Sequence, residues 1–348
     1  MVWLNRFNNN FFYQNKFQSF IPKPLHLVVV LLMVNLFFVN SIHAQGAALG
    51  CDENFYQTRA GNGGTALLRF TAANLSGGGT ATNVWGALNT TLVNGAGMNP
   101  TDGFIYGLNA SINRARLMRL GSTGVADLST STATNGSIVT HAGTTGNTVA
   151  TTLTTTTAFT PTGGVFDTQG RFYFAGQSGG NIGPSAIYRI DNFTTDVDGS
   201  TAGLQIGVAH VYTLSATLTN VGDFAFGPDG NLYGATATTL AQLRLVGTTA
   251  FVSAATISAV GGIGSAFFNN NGQFFVYDNG SGNLTQVLFT FGTGFPGTTS
   301  NPSVVTIAGA APIPSSTSST DGISCITSTA DMAIAKTNGT TTSLPSGS

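Results

Sequence analysis

The chain has 348 residues, enough for one large domain or two small ones. Only 7% of it is charged, against roughly 25% in an ordinary soluble protein, and its formal net charge is −1. With 42% hydrophobic residues, 46 glycines and a single glutamate, Glu53, it excludes a charged coiled coil, a helix-rich enzyme core and a basic nucleic-acid binder. The strand-forming Thr, Val, Phe and Tyr and the turn-forming Gly and Asn favour an all-β chain of extracellular type.

Residues 1–44 belong to a different regime. Arg6, Lys16 and Lys23 lie in a long polar and aromatic lead, and an apolar run follows from Leu27 to Val39. Ala44 stands before Gln45 as the small residue at a cleavage site, so 1–44 reads as a signal peptide with a signal helix. The apolar run is short for a bilayer span of roughly 20 residues; an anchor that stays in place is the alternative. Lipidation at Cys51 has weaker support, since Ala48-Leu49-Gly50-Cys51 matches a lipobox only loosely. Without the leader the chain keeps nine basic and 13 acidic residues, which disfavours nucleic acid as a partner, and no other segment is long and apolar enough to span a membrane.

Four segments then repeat a turn flanked by apolar strands. They centre on Asp102-Gly103, Asp167-Thr168-Gln169-Gly170, Asp229-Gly230 and Asn269-Asn270-Asn271-Gly272. Glycine accepts the positive φ that such hairpin turns require. A second strand follows each turn at a steady spacing and carries Arg119, Arg189, Arg244 or, in the last unit, Gln286. A weaker apolar stretch closes each unit, at 137–141, 207–214, 250–255 and 303–308, and the excess length falls in Thr/Ser/Gly-rich loops such as 121–146 and 192–201. Each unit thus has four strands in sequence, the blade of a β-propeller.

The chain ends supply a fifth unit. Residues 54–57, 66–70 with Arg69 in place, and 81–85 read as its second, third and fourth strands, while Asp321-Gly322-Ile323-Ser324-Cys325 has the first-strand pattern. A strand from the C-terminal end therefore closes the ring and removes an open edge. Five blades are predicted, with a sixth open within 147–160. Closure would set Cys325 beside Cys51, and an even cysteine count in an exported chain favours a disulfide between them, two buried free thiols being the alternative.

The segment Ala330-Asp331-Met332-Ala333-Ile334-Ala335-Lys336 resembles the opening strand of a bacterial conserved-repeat, immunoglobulin-like family called domain of unknown function eleven. Residues 331–348 are then the start of a truncated repeat of that kind, or a disordered tail. The body, 45–330, resembles over roughly 51–330 the uncharacterised propeller-like module found ahead of such repeats in secreted bacterial proteins. Cys51 with Phe55-Tyr56, the Asp-Gly turns, the third-strand arginines, and Asp321-Gly322 with Cys325 carry the likeness. It implies a secreted or cell-surface location and passes on no catalytic residue.

The sharpest repeated polar feature is the third-strand position. Arg69, Arg119, Arg189 and Arg244 form either a ring of guanidinium groups for an anion or acidic glycan, or a set of structural partners for the turn acids Asp102, Asp167 and Asp229. The second-strand aromatics Tyr56, Tyr106, Tyr173, Tyr233 and Phe275 read as packing between blades rather than a sugar platform. Asp196-Val197-Asp198-Gly199 lacks the further ligands of a calcium loop. No cofactor is expected; a structural calcium held by loop Asp and Asn oxygens stays open. His141 and His210 show no metal-ligand spacing, and no catalytic motif accompanies them, so no catalytic residue or metal ligand is assigned. The expected function is a non-catalytic display or adhesion module for an unknown surface ligand or glycan. A lectin-like propeller and a secreted hydrolase or lyase using Asp167 or Asp223 are the rivals.

Overall fold

A computed structural model describes residues 46–52, 54–61, 64–75, 81–88, 92–109, 117–127, 159–178, 186–191, 210–289, 303–307 and 320–325. The leader, the tail, His141, Asp196-Val197-Asp198-Gly199 and most of 147–160 lie outside them.

The described residues are all-β apart from a single helical turn, α1 (Ala72–Leu75). The first repeat contains β1 (Phe55–Gly61), β2 (Gly64–Phe70) and β3 (Thr82–Leu88), the second β4 (Val93–Met98), β5 (Ile105–Asn109), β6 (Leu117–Leu120) and β7 (Val125–Asp127). The third comprises β8 (Phe159–Phe166), β9 (Phe172–Ser178), β10 (Ala186–Ile190) and β11 (His210–Leu214). The fourth comprises β12 (Phe224–Phe226), β13 (Leu232–Ala235), β14 (Thr239–Val246) and β15 (Thr249–Thr256). The fifth has β16 (Ile263–Phe268), β17 (Phe274–Asp278), β18 (Leu284–Leu288) and β19 (Ser303–Ile307), and β20 (Thr320–Ile323) ends the series.

These strands fall into five antiparallel sets of four, and β20 joins the first set as β20-β1-β2-β3. A short parallel pairing of β11 with β15 fuses the third and fourth sets into one eight-stranded sheet. The first strands touch in cyclic order, β4 on β8, β8 on β12, β12 on β16, β16 on β20 and β20 on β4. Five apolar clusters fill the gaps between neighbouring sets, including the last and the first, where Phe267, Phe275 and Tyr277 meet Phe55, Leu68 and Phe70. The fold is therefore a β-propeller whose core is divided among the joints between its sheets. Both faces of the inner strands are covered, which is why β4, β5, β16 and β17 read as unbroken buried runs.

The C-terminal strand closes the ring as expected. Tyr56 pairs with Ile323 and Arg59 with Thr320. Cys51 and Cys325 form a disulfide with Cα atoms 5.3 Å apart, so the free-thiol alternative is excluded. One strand differs from the expectation. The fourth strand of the second set is β7, whereas the predicted stretch 137–141 is outside the described residues. The turn from Gly121 to Gly124, closed by the Gly121 N–H on the Gly124 carbonyl, returns the chain at once. A three-residue strand after so short a turn gives too little periodic pattern to be read from sequence.

The repeated turns explain themselves chemically. Gly103, Gly170, Gly230 and Gly272 all have φ between 70° and 77°, the left-handed region where a side chain is strained. Close approach rules at Gly164, where an added Cβ would lie 2.1 Å from the Gly95 carbonyl oxygen of the neighbouring first strand.

Candidate functional site

Each turn acid is bound to an aromatic residue of the strand that follows. Tyr106 donates its hydroxyl to Asp102 at 2.6 Å, Tyr233 to Asp229 at 2.7 Å and Tyr173 to Asp167 at 3.2 Å. The acid sits at the far corner of two turns and the near corner of the third, yet reaches the same hydroxyl. In the fifth set the turn carries Asn269 instead of an acid, and the second strand carries Phe275, which has no hydroxyl. Burial, then the adjacent carboxylate, pushes the Tyr106 and Tyr173 hydroxyls well above the usual phenol range. Tyr233 is raised as well, by burial and then by the hydrogen bond and charge of Asp229. These tyrosines are permanent donors, buried between sheets. Replacing Asp229 with alanine removes the acceptor of Tyr233 and of the Asn231 backbone and side chain. It is expected to cost about 2 kcal/mol in urea unfolding.

The candidate arginines do not meet. Register places Arg69 opposite Tyr56, Arg119 opposite Tyr106 and Arg189 opposite Tyr173. In the fourth set the residue opposite Tyr233 is Gln242, which donates to the Tyr233 hydroxyl at 2.6 Å. Arg244 stands two residues further on, exposed, with its guanidinium 5.3 Å from the Phe251 ring. A two-residue offset keeps a side chain on the same face of a strand, so it leaves the sequence pattern unchanged. Arg119 lies 4.8 Å from the Phe104 ring, buried. Among the four, Arg189 lines an open cleft.

That cleft, about 400 Å³, opens between the third and fourth sets. Asp167, Gln169, Arg171 and Arg189 give it polar walls, and Tyr173, Tyr212 and Phe226 give it aromatic ones. Its charges are held in place. Arg189 Nε and Nη2 donate to the two Asp191 oxygens at 2.7 and 2.9 Å, and Nη1 donates to the Tyr212 hydroxyl at 2.6 Å. Burial works against the Arg189 charge, but the Asp191 hydrogen bonds and charge outweigh it and raise its pKa. Arg171 Nε donates to Asp167 at 2.6 Å. His210 lies nearby in sequence, with Nε2 2.6 Å from the Gly247 carbonyl and its ring against Tyr212.

A second polar centre lies where the first strands meet. Asp223 is fully buried. Its Oδ2 accepts from the Ala266 and Gly322 backbones, each at 2.7 Å, and its Oδ1 from Phe224 at 2.7 Å. One carboxylate from the fourth set thus clamps the fifth and the first. Asp321, also fully buried, accepts from Thr58 Oγ1 at 3.2 Å and faces the Gly95 and Ala96 N–H groups of the second set. Burial raises both carboxyls well above the usual range; the Asp321 charge adds to this at Asp223, and the N–H donors offset part of it. Asp223 is sealed among backbone groups, and Asp167 is occupied by Tyr173, Arg171 and its own turn. Sequence reading missed this axial pair. Its available signal was an acid heading an otherwise apolar first strand, in Asp223-Phe224-Ala225-Phe226 and Asp321-Gly322-Ile323.

A family model described as a repeat of unknown function (DUF6923) matches residues 55–327. The chain belongs to that family. The matched span runs from β1 past β20, so the family's extent coincides with the closed ring. Solved structures with similar chains include a protein of unknown function from Bacteroides caccae, at 11% identity and TM-score 0.38, over 67% of this chain and 69% of that one. Virginiamycin B lyase from Staphylococcus aureus is similar at 13% identity and TM-score 0.33, over 72% and 64%. A chain of the nidogen/laminin complex is similar at 11% and 0.40, over 67% and 88%. No curated protein matches the sequence.

Proposed function

We propose that this member of the family is a non-catalytic display or adhesion module, exported to the cell surface or beyond. The observation that carries the reading is the cleft between the third and fourth sets, whose charged groups are each locked to another protein group. Fixed donors and acceptors beside aromatic faces suit recognition, whereas a reacting group needs freedom to change protonation or partner. The Cys51–Cys325 disulfide fits an oxidising compartment, and among the described residues no helix is long and apolar enough to cross a membrane.

The same cleft favours a glycan as the ligand. Its volume suits one or two sugar rings, with the buried rings of Tyr212 and Phe226 giving it an apolar floor and Asp167, Gln169 and Arg171 available for hydroxyls. A glycan array probed with the purified protein tests this. Binding is expected, and Gln169→Trp, at an exposed position on the rim, is expected to lower it at least about tenfold with the melting temperature unchanged. An array without signal leaves the display role alone. Turnover of any sugar polymer, lost in Asp167→Asn, would replace this reading with the hydrolase or lyase.

A further inference from the structure

The third repeat departs from the others at one turn position. Two residues before the second-strand aromatic, the first, fourth and fifth repeats carry Asn54, Asn231 and Gln273, and the second carries Phe104. The three amides do the same work, each binding the polar residue that opens its turn. Asn54 Nδ2 donates to Asp52, Asn231 Nδ2 donates to Asp229 at 2.7 Å, and Gln273 Oε1 accepts from Asn269 Nδ2 at 2.6 Å. The third repeat places Arg171 there. Its Nε takes over that work by donating to Asp167 Oδ2 at 2.6 Å. An amide suffices for this in three other repeats, so Nη1 and Nη2 are surplus to the turn. Among the described residues they make no hydrogen bond, and the side chain, 34% exposed, lines the cleft between the third and fourth sets.

Arg189 reaches the same place from the next strand. It lies opposite Tyr173 in the ladder, and the Tyr173 hydroxyl shares Asp167 Oδ2 with Arg171 Nε. The charges of both arginines bear on that hydroxyl, so the two guanidinium groups are neighbours around it. What the cleft has in excess there is donors. Asp167 already accepts from four, the Gln169 and Arg171 N–H groups, Arg171 Nε and the Tyr173 hydroxyl. Arg189 keeps one N–H on each Nη after its bonds to Asp191 and Tyr212, and Arg171 keeps both Nη groups whole.

We propose that the cleft recognises an oxyanion carried on a sugar, a carboxylate or a sulfate ester, with Arg171 as the residue that sets the preference. This names the ligand class for the glycan reading of the cleft and rests on that reading. The free end of a guanidinium is a planar fork that meets two oxygens of such a group at once, whereas a hydroxyl takes up one donor. Of the charged side chains lining the cleft, Arg171 and Arg189 are cationic and Asp167 is anionic, so a bound anion balances the lining. The joint between the fourth and fifth sets has neither arginine. Asn231 and Gln242 stand at the two positions, and both bind inward, to Asp229 and to Tyr233.

The test uses the full chain on an array that carries uronate-bearing and sulfated glycans beside their carboxyl-reduced and desulfated counterparts. An acidic form is expected to bind about tenfold or more tightly than its neutral counterpart, and less so at high salt. Whether uronate or sulfate is preferred tells the two sources apart. Arg171→Gln copies the amide of Gln273 in the fifth repeat, so the melting temperature is expected to hold while the acidic preference is lost. Arg171→Asn, which copies the first and fourth repeats, is expected to do the same and serves if the first variant does not fold. Equal binding of acidic and neutral forms by the native chain overturns the proposal and leaves a neutral glycan in the cleft. An acidic preference retained in both variants also overturns it, because the anion then sits elsewhere. An array without signal overturns the glycan reading itself, and the proposal falls with it.

Discussion

Replacing Cys51 and Cys325 together with serine is expected to lower the stability of the ring by about 5 kcal/mol. The bond closes a loop of 274 residues, so on the chain-entropy argument it removes about that much freedom from the unfolded state. The native state adds its own reason. The ring is completed by β20, four residues long, which pairs with β1 and packs on β16 and β4. Ile323 and Cys325 belong to the apolar cluster that joins the first and second sets. Without the bond, this short strand is retained by one ladder, the Asp223 carboxylate on its Gly322 N–H and its side-chain contacts. Urea unfolding of the oxidised protein and of the double serine variant gives the difference directly. Proteolysis of the variant is expected to begin between β19 and β20, releasing the C-terminal end. A difference below about 1 kcal/mol would mean that the unfolded chain is already compact enough for the bond to constrain little.

Removal of the Asp223 carboxylate is the second large effect. Asp223→Ala leaves the N–H groups of Phe224, Ala266 and Gly322 facing a cavity, and a buried unsatisfied donor costs about 1–3 kcal/mol. The expected loss is about 3 kcal/mol or more, spread over three sets of strands that the carboxylate ties together. Asp223→Asn keeps one acceptor oxygen and should lose less. Acidity follows the same geometry. Because the folded-state pKa values of Asp223 and Asp321 are raised above the unfolded ones, the pair's contribution is complete below the unfolded carboxyl range. It is lost as pH rises through the folded values. Urea midpoints should therefore fall from about pH 4 towards neutrality, and less steeply in Asp223→Asn. A midpoint that rises over this interval in both proteins would show that the axial pair does not govern the profile.

Much of the fold was legible because the repeat writes its own punctuation. Positive-φ glycines three or four residues into a turn, with buried aromatic strands on each side, mark a hairpin wherever they occur. The closing strand was legible for a related reason: β1, β2 and β3 lack a first strand, and Asp321-Gly322-Ile323 has its pattern. What failed was fine register. Arg244 and Gln242 share a face, and only the pairing of Gln242 with Tyr233 tells which holds the repeated position. The strand β7 was too short to carry a period. The cleft was not legible at all, because Arg189, Tyr212 and Phe226 come from three strands in two sets.

The amino-acid sequence by itself determined the unit and its number of strands, the direction in which the ends join, and the cysteine pair that locks them. These follow from local turn chemistry and from hydrophobic period, which act within a few residues. Tertiary structure alone decided the axis and the cleft. Asp223 and Gly322 are 99 residues apart, and a lone aspartate heading an apolar strand reads the same whether it faces water or backbone donors. Only the closed ring brings five first strands to one place, and there burial decides the charge, the partners and the chemistry of that carboxylate.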